Sequence, residues 1–118
     1  MVNTKELAAQ TERLLRWNER ILQAFQERGQ GKEADFYEEI QPFILEIEAD
    51  LNKWKALSKQ WVAEQRPKYI HTAQIEQTYD NLQNNALQCF VGQRKEKRFK
   101  ETYKAVAFVL QRILQLIR

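Results

Sequence analysis

Chemistry in this chain would have to start from very few groups. The sequence holds one histidine, His71, and one cysteine, Cys89. Arg66 stands five positions before His71, a spacing met in some helical-bundle ribonucleases. In such a site the arginine would steady a phosphate while the imidazole moved a proton. Here Pro67 interrupts the stretch, and the sequence shows no second polar group nearby to orient the ring. His71 is therefore read as a partly packed residue in the first turn of a helix. Cys89 lies in Leu87-Gln-Cys-Phe90, where no cation stands beside it in sequence to lower its pKa. It is expected to be a small buried hydrophobe.

Metal and cofactor chemistry is harder to build still. Carboxylate-bridged di-iron bundles require Glu-x-x-His on two helices, and the residue three before His71 is Lys68. Haem held by paired histidines and zinc held by Cys/His sets both lack ligands. Asp35, Glu38, Glu39, Glu46, Glu48 and Asp50 make an acidic run. Glu46, Glu48 and Asp50 project away from the apolar seam of their helix, so the run is expected to be a solvated face. Phosphate-cradling glycine patterns and a nucleophile elbow are absent. No catalytic residue, metal or cofactor is expected.

The elements that would position any site are helices. With 118 residues, 43% hydrophobic and 30% charged, the chain is the size of one globular domain. Only 3 Gly and 2 Pro are present, too little turn material for an all-β fold. Helical periodicity predicts four helices, at about 4–28, 35–65, 72–90 and 96–117. The seams run Leu7, Thr11, Leu14, Asn18, Ile21, Phe25; then Ile40, Ile44, Ile47, Leu51, Trp54, Ser58, Trp61; then Ile75, Tyr79, Leu82, Ala86; and finally Phe99, Tyr103, Val106, Leu110, Ile113, Ile117. Asn3 and Asp35, each with a Glu three positions on, are expected N-caps, as is Thr72. Gly29 and Gly31 close the first helix. Pro42 should kink the second near residues 38–42, or make it restart there. Asn18 and Ser58, on otherwise apolar seams, are expected to bond across the core and fix register. Short connections between amphipathic helices imply an all-α, up-down-up-down antiparallel four-helix bundle in one domain, residues 1–118.

The stretches Pro42-Phe-Ile-Leu-Glu-Ile-Glu-Ala-Asp-Leu-Asn-Lys-Trp54, Tyr69-Ile-His-Thr-Ala-Gln-Ile-Glu76 and Lys97-Arg-Phe-Lys100 resemble the YppE family, small uncharacterised helical proteins of Bacillus and related Firmicutes. The likeness runs along nearly the whole chain. It implies a bacterial, cytosolic four-helix bundle, and it brings no catalytic residues with it.

Two surfaces are candidates for contact. The first is the basic segment Arg94, Lys95, Lys97, Arg98, with Lys100 and Lys104, at the start of the fourth helix. Positive charge there opposes the helix dipole. Pairing with Glu33, Asp35, Glu38 and Glu39 of the first connection is one expectation; a free anion or nucleic-acid site is the other. The second is Phe108, on the back of the fourth helix with Ala105 and Val109, a contact for a protein partner or a second copy. The net charge of +3 is mild for a nucleic-acid binder. One cysteine fits a reducing cytoplasm. The N-terminus lacks the apolar core of a signal peptide, and the longest apolar run, Ala105–Leu110, cannot span a bilayer. The reading is a non-enzymatic cytoplasmic interaction module with no membrane contact. Anion or nucleic-acid binding at Arg94–Lys104 is the alternative, and a ribonuclease using Arg66 and His71 comes after that.

Overall fold

The structure, a computed structural model, describes residues 1–90 and 95–118. Four helices follow one another: α1 (Thr4–Gly29), α2 (Gln41–Gln65), α3 (Thr72–Gln88) and α4 (Glu96–Ile117). Asn3 caps α1, its side chain accepting from the Glu6 N–H at 3.1 Å. Gln30 closes that helix, and Gly31 follows at φ +88°, where a side chain would be strained. The break expected around Pro42 is a π-helical turn over Phe36–Ile40, capped by Asp35, which accepts from Glu38 N–H at 2.8 Å. Pro42 then stands in the first turn of α2, where its missing N–H costs no intrahelical bond.

The third helix departs from expectation at both ends. His71, not Thr72, is its N-cap; the His71 backbone N–H donates to Gln74 Oε1 at 2.7 Å. The glutamine reaching back satisfies the N–H of the cap residue itself, the reciprocal half of a capping box. The helix ends at Gln88, and Cys89 and Phe90 lie in the turn that follows.

Helix α1 packs on α2 and α4, α3 packs on the same two, and α1 and α3 meet lightly across the diagonal. The ring is antiparallel. At one end Phe25 of α1 stacks on Phe99 of α4 with centroids 3.9 Å apart, and Phe43 of α2 meets Phe90 after α3 edge-on at 5.2 Å. At the other end Lys59 of α2 pairs with Glu76 of α3 at 3.0 Å. The bundle is elongated, 45 × 28 × 20 Å.

The core follows the predicted seams: Leu7, Leu14, Ile21, Ile47, Leu51, Trp54, Ile75, Leu82, Val106, Leu110 and Ile113 are fully enclosed. Burial of each such side chain contributes about 1.5–3 kcal/mol, which no single helix could gain alone. The two polar seam residues behave differently from each other. Asn18 does reach across, its Nδ2 donating to the Tyr103 carbonyl of α4 at 3.1 Å. Ser58 does not: its hydroxyl donates back to Trp54 O, one turn earlier in α2, at 2.7 Å, and so sets no register between helices.

Candidate functional site

The residues singled out for chemistry are engaged elsewhere or left apart. Arg66 is the left-handed C-cap of α2, at φ 45°. His71 is exposed at the start of α3 rather than partly packed as expected. Cys89 is fully enclosed, and its Sγ donates to Ala86 O at 3.1 Å. Burial pushes its thiol up to about 12, against the lowering influence of Arg28. That is the opposite of nucleophile activation. Among the described residues no group of three or more His, Cys, Asp or Glu gathers as metal ligands would.

Asp50 corrects the expectation of a wholly solvated acidic face. Only 15% of its side chain is exposed. It accepts from Trp17 Nε1 at 2.7 Å, from Arg13 at 2.9 and 3.2 Å and from Gln10 Nε2 at 3.1 Å, all on α1. Burial alone would raise its pKa; the bonds from Arg13, Trp17 and Gln10 outweigh this and hold the carboxyl below its ordinary range. With every donor coming from α1, Asp50 is a clasp between α1 and α2. The indole N–H of Trp54 also finds a partner, donating to Thr11 Oγ1 at 3.2 Å.

Among the described residues no ion pair joins the basic segment to the first connection. Glu33, Glu38, Glu39 and Glu46 instead line a broad groove with Arg20, Arg28 and Lys32, the cations of α1 and its own C-terminal turn. Of the basic residues, Lys100 pairs with Glu96 on its own helix at 3.5 Å. No carboxylate pairs with Lys95, Lys97, Arg98 or Lys104 among the described residues. Arg94 lies outside the described residues. Lys95 and Arg98 border a pocket of about 140 Å³ between α3 and α4, whose remaining wall is Phe25, Asn84, Asn85, Gln88, Phe99 and Thr102. Sequence reasoning found the charges and missed the three carboxamides, which belong to a different helix and carry no periodic signal.

The second surface is wider than expected from α4 alone. Phe108 is 59% exposed and Ala105 is exposed, whereas Val109 packs against the core. Arg112, one turn beyond Phe108, holds its guanidinium 5.4 Å from the Phe108 ring and 5.7 Å from the ring of Tyr69. Tyr69 comes from the α2–α3 loop, is 68% exposed and stands at φ 72°, unusual for a residue with a side chain. Two rings from separate elements therefore flank one cation at the surface. Tyr69 carried no signal in sequence, because only the loop's fold brings it to α4.

The ring of four antiparallel helices, with Asn18 bonded from α1 to α4 and Asp50 from α2 to α1, defines a small all-α bundle. The bacterial domain of unknown function DUF1798 matches residues 11–117, and the chain belongs to that family. It is 29% identical to the uncharacterized protein YppE of Bacillus subtilis (strain 168) over 111 residues, which is 93% of this chain and 90% of the relative. A crystal structure of a Listeria innocua protein of unknown function superposes with a TM-score of 0.91 at 30% identity, covering 97% of this chain and 92% of that one. The crystal structure of B. subtilis YppE gives 0.90 at 28% identity, covering 98% and 94%. The likeness seen at residues 42–54, 69–76 and 97–100 is thus a family relationship. Among the described residues no helix is long and apolar enough to cross a membrane.

Proposed function

We propose that this protein is a non-enzymatic cytoplasmic interaction module that presents the Tyr69–Arg112–Phe108 surface to another protein. The observation that carries the reading is the Arg112 guanidinium flanked by two exposed rings from different elements. Tyrosine and arginine dominate binding hot spots, because such side chains bury much area yet keep a polar handle. The chemistry fits a partner that offers an apolar recess for Phe108 and a carboxylate for Arg112. Support for a non-enzymatic role comes from the exposed His71 and the enclosed, poorly acidic Cys89. A nucleic-acid role at the other end has less support, since Phe25 and Phe99 are buried on each other and offer no face for base stacking.

The test is affinity capture from native cytosol with wild type and a Tyr69→Ala/Phe108→Ala variant whose helicity is checked by circular dichroism. A partner held by wild type and lost by the variant is expected. Equal capture by both baits would overturn this surface, and enrichment by neither would count against an interaction module. Sedimentation velocity of both proteins separates a second copy of the chain from a different partner.

A further inference from the structure

The pocket between α3 and α4 has a lining that suits one kind of ligand. Among the described residues its charged side chains are Lys95 and Arg98, and no acid lines it. Neither cation is paired with a carboxylate among the described residues, so their charge is not cancelled within the fold. Asn84, Gln88 and Thr102 add neutral hydrogen-bonding groups around the same space. Asn85, almost wholly buried, is fixed by its own bond, Nδ2 donating to Phe99 O at 3.2 Å. The stacked rings of Phe25 and Phe99, both buried, line the same space. At about 140 Å³ the space is well short of the roughly 300 Å³ at which sites begin to enclose drug-sized ligands.

We propose that this pocket binds a small phosphate group, with Arg98 and Lys95 supplying charge and Asn84, Gln88 and Thr102 orienting the remaining oxygens. An arginine offers paired N–H donors to two phosphate oxygens, and a lysine beside it adds a point charge. Sulfate or a carboxylate would meet the same charges. Phosphate alone combines a dianion with an oxygen that carries a proton or a substituent, which the neutral amides can match. The pocket lies at the N-terminal end of α4, while Arg112 lies 14 residues beyond Arg98, roughly 21 Å along the helix. The phosphate site is therefore independent of the Tyr69–Arg112–Phe108 surface.

The experiment is a titration of the full chain with inorganic phosphate, and separately with glycerol 3-phosphate, against sodium chloride at matched ionic strength. Amide chemical shifts and thermal unfolding are followed together. Saturable shifts centred on Asn84, Asn85, Gln88, Arg98 and Thr102, with a rise in Tm that chloride does not give, are expected. Arg98→Gln should weaken binding by about tenfold or more, since it removes a charge-assisted bond. Lys97→Gln, outside the pocket, should leave it unchanged. Tighter binding of glycerol 3-phosphate than of inorganic phosphate would identify a phosphate monoester as the ligand class; equal binding would identify the free ion. A response that chloride reproduces, or that Arg98→Gln and wild type share, would overturn the proposal, because it would report general screening of surface charge. Arg98 is exposed, so its variant is expected to fold.

Discussion

The indole N–H of Trp17 donates to Asp50 Oδ2 at 2.7 Å, and this bond fastens α1 to α2 at mid-bundle. Arg13 and Gln10 complete the clasp from the same helix. Removing the carboxylate leaves donors around an emptied acceptor site. Asp50→Ala should therefore cost about 2–4 kcal/mol, measured by urea unfolding, with the slope unchanged. A loss under about 0.5 kcal/mol, the level of an ordinary surface substitution, would show that the clasp contributes little.

Asp50 also predicts how stability responds to acid. Its folded-state pKa lies below the ordinary 3.8. The stabilisation is thus complete above that value and is lost as pH falls through the lower, folded value. Wild type should lose stability more steeply below about pH 4 than Asp50→Asn does. Some slope will remain in the variant. Glu64, through the Val2 backbone N–H, and Glu76, through Lys59, are shifted in the same direction. Parallel acid curves for the two proteins would contradict the assignment.

Cys89 should be inert in the folded protein. With its thiol pushed up to about 12 from 9.0, its thiolate fraction at pH 8 is about 1000-fold below that of an unperturbed thiol, before steric exclusion is counted. Titration with a thiol reagent should show no reaction on the timescale of seconds in buffer and one full equivalent in denaturant. Rapid labelling under native conditions would mean that the end of α3 opens locally.

Thr11 and Trp54 should be energetically coupled. The Thr11 hydroxyl donates to Leu7 O at 2.7 Å and accepts from Trp54 Nε1 at 3.2 Å, both within the core. Thr11→Val keeps the shape but strands the indole N–H, and should cost about 1–3 kcal/mol. Trp54→Phe made in that background should cost less than it does alone. A double-mutant cycle reads the difference, and additive costs would dissolve the pair.

What the sequence made legible was periodicity. Leu7 to Phe25, Ile47 to Trp61 and, Tyr103 excepted, Phe99 to Ile113 enter the core on the predicted seams, because a helical repeat depends only on local geometry. Val2 and Ile70, outside every helix, are buried too, and no period could have marked them. Pairing was beyond reach for the same reason. Asp50 reads as one more acid on a solvated face until the fold brings three donors from 33 to 40 positions away. Likewise Glu33, Glu38 and Glu39 of the first connection line one groove with Arg20, Arg28 and Lys32, a neighbourhood that no period in the sequence marks. Of the phosphate pocket the sequence displayed the cations and nothing of the amide wall.

The ring arrangement has a consequence for the order in which the chain assembles. Contacts of α1 with α2, of α2 with α3 and of α3 with α4 all close over short stretches of chain, as Lys59 with Glu76 does, whereas Asn18 meets Tyr103 across 85 positions. Bringing such distant segments together loses more chain entropy, so neighbouring helices are expected to pair first and α1 to close on α4 last. The Arg66–Ile70 loop between α2 and α3 holds two residues at positive φ, Arg66 and Tyr69, each at a cost of about 1–2 kcal/mol. Weakening the α1–α4 seam should then quicken unfolding far more than it slows folding. Closure of α1 on α4, rather than growth of any helix, would govern how long the native bundle lasts.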